Sequence, residues 1–133
     1  MPSRSLDDLR PEIRDKAKTW LDQCKSAGLD ILVTCTLRSL QEQADLFASG
    51  RTKPGRILTM AKPGQSAHNY GLALDFVPMI NGKPNWIAPG PDWEKAISLA
   101  EALGLESASH WTTFKEWPHL QVFNWSELIK EAA

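Results

Sequence analysis

Residues 66–76 read SAHNYGLALDF, placing a histidine and an aspartate seven positions apart with a glycine and an alternating apolar run between them. Partners on one helix face recur at steps of three or four, so this spacing predicts a loop that turns at Gly71 and feeds a strand. In that strand Leu72, Leu74 and Phe76 face one side, and Ala73, Asp75 and Val77 the other. Asp75 then stands among small and apolar neighbours, where an unpaired carboxylate costs several kcal/mol. It should have a cation or hydrogen-bond donors beside it.

The rest of the chain supplies the frame for that strand. Leu9, Ile13, Ala17, Trp20, Leu21 and Cys24 recur at helical steps, which predicts a helix over about 6–27. Pro11 is tolerated only in a first turn, so the regular helix should begin near Arg10 after a turn over 5–9, and Gly28 should end it. The β-branched run at 31–36 reads as a buried strand. A second helix follows, with Ser39 as N-cap, Leu40, Ala44 and Phe47 on its apolar face, and Gly50 as its stop. Residues 51–65, with two prolines, two glycines and several cations, read as a long loop beside a site. After the strand at 72–78, Asn81-Gly82 signals a hairpin with a return strand near Trp86. A helix is expected at 92–104, a strand at 119–123 with His119, Gln121 and Phe123 on one face, and a closing helix at 126–130. No element is assigned to 105–116. These elements predict one domain over 1–133 of the α+β class, a small antiparallel sheet flanked by helices.

Composition removes several functions. The 133 residues carry a formal net charge of −1 with mixed signs along the chain, and no basic aromatic stripe accompanies the six tryptophans, which argues against nucleic-acid binding. Cys24 and Cys35 lie in apolar-periodic segments and are expected as buried free thiols in a reducing compartment. The first residues hold no apolar signal core, and no run approaches a membrane span. The expectation is a chain that is not exported by a standard signal and makes no stable membrane insertion.

The second half completes the chemistry begun at His68. In Glu116-Trp117-Pro118-His119 a histidine starts a strand, and a carboxylate lies three residues before it on a proline-stiffened approach. Two histidines and one aspartate are the ligand count of a catalytic zinc site whose fourth position takes water, and Glu116 is a carboxylate that can take that water's proton. Taken singly, each residue has a plainer explanation as a loop, turn or surface group; the set is what carries the reading.

These residues also carry a resemblance. SAHNYGLALDF resembles the S-x-H-x-x-G-x-A-x-D signature of the M15-type zinc peptidases, which include D-alanyl-D-alanine carboxypeptidases, dipeptidases and phage L-alanyl-D-glutamate endopeptidases. EWPH resembles their acidic-x-x-His element, and VTCTLRSLQEQADLFASGR their strand, arginine and helix segment. The resemblance implies the Hedgehog/DD-peptidase-like fold, with His68, Asp75 and His119 as Zn2+ ligands and Glu116 as general base. It implies that Arg38 holds substrate and polarises the scissile group, with Ser39, Gln43 and Ser66 contributing to substrate binding. The substrate it implies is the peptidoglycan stem peptide, cut at the L-alanyl-D-glutamate bond, with the basic loop at Arg51, Lys53 and Arg56 attracting its carboxylates. The alternatives are a D-alanyl-D-alanine carboxypeptidase or dipeptidase of the same fold and a non-catalytic zinc-stabilised wall-binding domain. A compact chain of this kind resembles a phage or prophage endolysin, a monomer made in the bacterial cytoplasm and admitted to the wall by a holin-type partner. One departure stands out. Relatives carry a Trp-Gly-Gly-Asp-Trp-like segment where this chain has Ser107-Ala108-Ser109-His110-Trp111, so Trp111 is kept and His110, not counted as a ligand, takes the acidic position.

Overall fold

A computed structural model describes residues 2–112 and 115–131. Helix α1, Pro11–Ser26, has its proline in the first turn and follows a 3-10 turn at Leu6–Asp8, as the position of Pro11 requires. Strand β1, Asp30–Cys35, leads into helix α2, Leu40–Ala48. Strand β2, Ala73–Ile80, is followed by the two-residue β3, Lys83–Pro84, and by helix α3, Pro91–Ala102. Strands β4, Leu105–Ser107, and β5, His119–Val122, and helix α4, Trp125–Glu131, complete the chain. The sheet runs β1-β2-β5-β4, antiparallel throughout, with β3 on β2. The α+β architecture is the one expected. Among the described residues no helix is long and apolar enough to cross a membrane.

The two faces of β2 are put to different uses. Phe76 packs edge-on against Trp20 of α1, with ring centroids 5.1 Å apart, and against Trp93 of α3 at 5.2 Å. Both indoles are buried, and each N–H is satisfied, Trp20 donating to the Ala96 carbonyl at 2.8 Å and Trp93 to that of Asn85 at 3.1 Å. Leu74 and Leu120, opposite one another on β2 and β5, share this helix-covered core. Burying Phe76 alone contributes about 2 kcal/mol, which pins the register and so holds Asp75 on the other face.

Three expectations are corrected. Leu40, assigned to the apolar face of the second helix, is 57% exposed, and the residue that α2 buries fully is Gln43. The return strand lies at Lys83–Pro84 and does not reach Trp86, which is 58% exposed. Asn81 and Gly82 both have positive φ, 53° and 78°, as a tight two-residue hairpin turn requires, so pairing resumes at once after Gly82. Phe123, placed in line with His119 and Gln121, lies beyond the end of β5 and is 53% exposed. Of the unassigned stretch 105–116, the chain forms β4 and a 3-10 turn at Ala108–His110; residues 113–114 lie outside the described residues. Both cysteines are buried and free, as expected.

Candidate active site

Register builds the site. Cys35 of β1 stands opposite Asp75 of β2, and Asp75 stands opposite His119 of β5, so three side chains form a row across the sheet. The β1–β2 register shifts between Val33 and Cys35, an irregularity that re-aims a side chain beside a site. His68 reaches the row from the 3-10 turn Ala67–Tyr70, whose start is capped by the Ser66 hydroxyl accepting from His68 N–H at 3.2 Å. Gly71 ends that turn at φ 68°, and a Cβ there would stand 3.1 Å from the Asp8 carbonyl and 3.3 Å from the Arg10 nitrogen. Conformation and space both call for glycine at this position.

His68 Nε2, Asp75 Oδ1 and His119 Nδ1 form a nearly equilateral triangle. The edges are 3.0 Å from His68 to Asp75, 3.2 Å from His119 to Asp75 and 3.2 Å between the histidines. Donor atoms around a tetrahedral ion with bonds of about 2.0–2.1 Å lie about 3.3 Å apart, so the triangle has the dimensions of a metal face. Its electrostatics ask for a cation. Burial opposes charge on His68, but the Asp75 carboxylate outweighs it and raises the pKa to about 10. Burial likewise favours the neutral acid at Asp75, yet His68 and His119 hold its carboxyl well below the usual range. Metal-free, the pocket retains a proton that a bound ion would replace.

Cys35, His68 and Asp75 also form a cluster able to hold a metal ion, their ligand atoms all within 4.8 Å of one another. The thiol, however, approaches His68 at Nδ1, 3.7 Å away, and that nitrogen lies 2.8 Å from the Thr36 carbonyl. A carbonyl only accepts, so Nδ1 keeps its hydrogen, and Nε2, facing Asp75 and His119, is the nitrogen that must give up a proton to offer a lone pair. The two clusters share His68 and Asp75 and differ in the third member.

A cavity of about 790 Å3 opens over the triangle, and Arg38, Ser66, Trp111 and Glu116 are among the residues lining it with His68, Asp75 and His119. Burial pushes the Glu116 carboxyl above the ordinary glutamate value, with His119 pulling the other way. Arg38 Nη1 donates to Gln43 Oε1 at 2.9 Å, while Nη2 donates to Cys35 Sγ at 3.5 Å and stands 3.7 Å from Asp75 Oδ2. Gln43 Nε2 donates to the Ala61 carbonyl at 2.8 Å, which fixes the orientation of its amide toward the guanidinium. Of the residues expected at the site, His68, Asp75, His119, Glu116, Arg38 and Ser66 come together. Gln43 lies behind Arg38, and Ser39 lies outside the cavity wall as the N-cap of α2, in a reciprocal capping box with Glu42. His110 is exposed and pairs with Glu101 at 3.3 Å.

Sequence reasoning missed a hydrogen-bonded chain behind His119. His119 Nε2 lies 2.8 Å from Gln121 Oε1, Gln121 Nε2 donates to Glu106 Oε1 at 2.9 Å, and the indole of Trp111 donates to Glu106 Oε2 at 3.2 Å. The strand alternation that puts Gln121 on the face of His119 was the available signal; Glu106 enters only through the pairing of β4 with β5, where it stands opposite Gln121.

Comparison with solved structures gives the fold class. The Serratia marcescens L-Ala D-Glu endopeptidase ChiX superposes with a TM-score of 0.68 at 21% identity, covering 92% of this chain and 88% of that one. Among curated proteins, the chain is 36% identical to the peptidoglycan L-alanyl-D-glutamate endopeptidase CwlK of Bacillus subtilis (strain 168), across 86% of its own length and 74% of CwlK. It is 35% identical to the L-alanyl-D-glutamate peptidase of Listeria phage A118, across 92% of its own length, and spans 42% of that longer protein. The family model for VanY, D-alanyl-D-alanine carboxypeptidase, matches residues 6–111, and the chain belongs to this family.

Proposed function

We propose that this chain is a zinc-dependent peptidase that hydrolyses the L-alanyl-D-glutamate bond of peptidoglycan stem peptides. The observation that carries the reading is the triangle of His68 Nε2, Asp75 Oδ1 and His119 Nδ1, with edges of 3.0–3.2 Å, beneath a cavity that also holds Glu116. Two imidazoles and a carboxylate suit zinc, and these three residues would hold it, with Cys35 left as a neighbour. Zinc in such a site supplies a Lewis acid that lowers the pKa of a water toward about 7 and polarises a carbonyl oxygen.

The chain's own groups supply the rest. Glu116, its pKa raised by burial, takes a proton from the attacking water and returns it to the leaving amine. Arg38, held by Gln43 and Asp75, keeps a fixed positive charge beside the developing oxyanion. Ser66 holds the turn that presents His68. Trp111 forms a wall of the cavity and packs against His119, ring centroids 5.6 Å apart.

An endopeptidase needs room on both sides of the scissile bond. A second cavity of about 450 Å3 meets the first at Leu58, Asp75, Glu116 and His119, so a peptide can extend to either flank. This favours internal cleavage over removal of a terminal D-alanine. Delivery to the wall through a holin-type partner after synthesis in the cytoplasm belongs to the same proposal. Digestion of purified peptidoglycan by the zinc-loaded protein, read by mass spectrometry, is expected to yield new L-alanine carboxyl and D-glutamate amino ends. Release of D-alanine instead would move the protein to the carboxypeptidase branch, and no cleavage would favour a wall-binding domain.

A further inference from the structure

The second cavity has a chemical character of its own. Its lining includes Trp86 and Trp93, whose ring centroids are 6.5 Å apart, and the cations Arg56 and Lys115. The basic loop does not act here as a uniform patch. Arg51 is engaged, its guanidinium 3.8 Å over the Phe47 ring and donating to the Phe47 and Thr59 carbonyls, and Lys53 pairs with Asp45 at 3.6 Å. Arg56 and Lys115 have no side-chain hydrogen bond or ion pair among the described residues, and of the loop's cations at 51, 53 and 56 only Arg56 reaches this cavity. Two uncommitted cations thus line a pocket that shares Asp75, Glu116 and His119 with the main cavity.

The substrate has a matching group. A glutamyl residue carries two carboxyls, and a peptide that continues beyond it uses only one. The other remains a free anion within a few bonds of the scissile nitrogen, whichever carboxyl carries the onward link. Brought toward Asp75 and Glu116, that anion is repelled unless cations offset it.

We propose that Arg56 and Lys115 form a carboxylate subsite that seats the free carboxylate of the D-glutamyl residue next to the scissile bond. This rests on the endopeptidase reading and names what in the substrate that site selects. Its role is discrimination: an acid at this position is accepted and its carboxamide is disfavoured, because the amide cannot neutralise the two cations.

The test uses two synthetic stem peptides that differ only in whether that D-glutamyl group is the free acid or the carboxamide. The zinc-loaded wild type is expected to prefer the acid by about tenfold or more in kcat/KM, chiefly through KM, as a charge-assisted contact requires. Arg56→Gln and Lys115→Gln should each reduce that ratio, the double variant should bring it close to unity, and Arg56→Lys should keep most of it. Both positions are exposed, and zinc content with thermal melting checks that the variants fold. Equal rates on the two peptides by wild type, or an acid preference that survives in the double variant, would overturn the subsite alone. No cleavage of either peptide at the L-alanyl-D-glutamyl bond would overturn the endopeptidase reading and the subsite with it.

Discussion

Gln121 Oε1 accepts a hydrogen bond from His119 Nε2 at 2.8 Å, and Glu106 sets the direction of that bond. A carboxylate only accepts, so the Gln121 amide nitrogen must face Glu106 and its oxygen must face His119. His119 then carries its hydrogen on Nε2 and presents the Nδ1 lone pair to the triangle with His68 and Asp75. Gln121→Ala should weaken zinc binding by about 10- to 100-fold in a chelator competition, the range for lost partners of metal-bound histidines. Glu106→Gln, which lets the amide turn over, should cost less. Unchanged zinc affinity in Gln121→Ala would contradict the role given to this pair.

In the proposed site, protons and metal compete for the same atoms. With its pKa raised to about 10, His68 must give up a proton to any metal it binds, so apparent zinc affinity should rise steadily from about pH 6 to about pH 8. The contribution of His68 to the stability of the metal-free protein runs the other way. A histidine pKa raised above its unfolded value of about 6.5 contributes stability that is fully present below that value and is lost as pH rises through about 10. Asp75, with its pKa lowered, contributes stability that is present above its unfolded pKa of about 3.9 and is lost as pH falls through the lowered folded value. Melting of chelator-treated protein across pH, beside zinc titrations, checks both signs; affinity that is flat with pH would contradict them.

Arg38 divides its two terminal nitrogens between Gln43 on one side and Cys35 with Asp75 on the other. Lysine offers one point charge and cannot span both. Arg38→Lys should retain zinc and lose about 10- to 100-fold in kcat, and Gln43→Ala, which frees the guanidinium, should show a weaker form of the same loss. Steady-state kinetics with metal analysis on the same samples separates this from a loss of ligands.

Ser39 provides a contrast. Its hydroxyl caps α2 by accepting from Glu42 N–H at 3.0 Å, and it does not line either cavity. Ser39→Ala should cost about 0.5–2 kcal/mol of stability by denaturant titration and leave kcat/KM per folded molecule unchanged. A drop in kcat/KM would restore it to substrate binding.

What the chain reveals about itself depends on distance along it. The turn at Gly71, the alternation of β2 and the approach to His119 are local, and each can be read from spacing. Gln121 sits in the same alternation, but its use appears only when β4 brings Glu106 opposite. Cys35 reads as a buried thiol; its place beside Asp75 depends on a register shift between β1 and β2 that no local pattern encodes. The face of α2 departs from its apolar pattern because its buried residue is polar: Gln43 spends its amide on Arg38 and the Ala61 carbonyl, so burial there follows hydrogen bonding, while Leu40 stays in solvent. The basic loop read as a single electrostatic patch, and only the folded chain separates the committed Arg51 and Lys53 from Arg56.

In the proposed mechanism His68, Asp75 and His119 hold the metal while Glu116 moves the proton. Bound zinc and cleavage of an L-alanyl-D-glutamyl peptide should be measured on the same preparations of wild type and Glu116→Ala. Zinc is expected equimolar with the chain in both, and kcat is expected to fall by about 10²- to 10⁴-fold in the variant alone. Near-normal turnover by Glu116→Ala, or its purification without zinc, would contradict this mechanism.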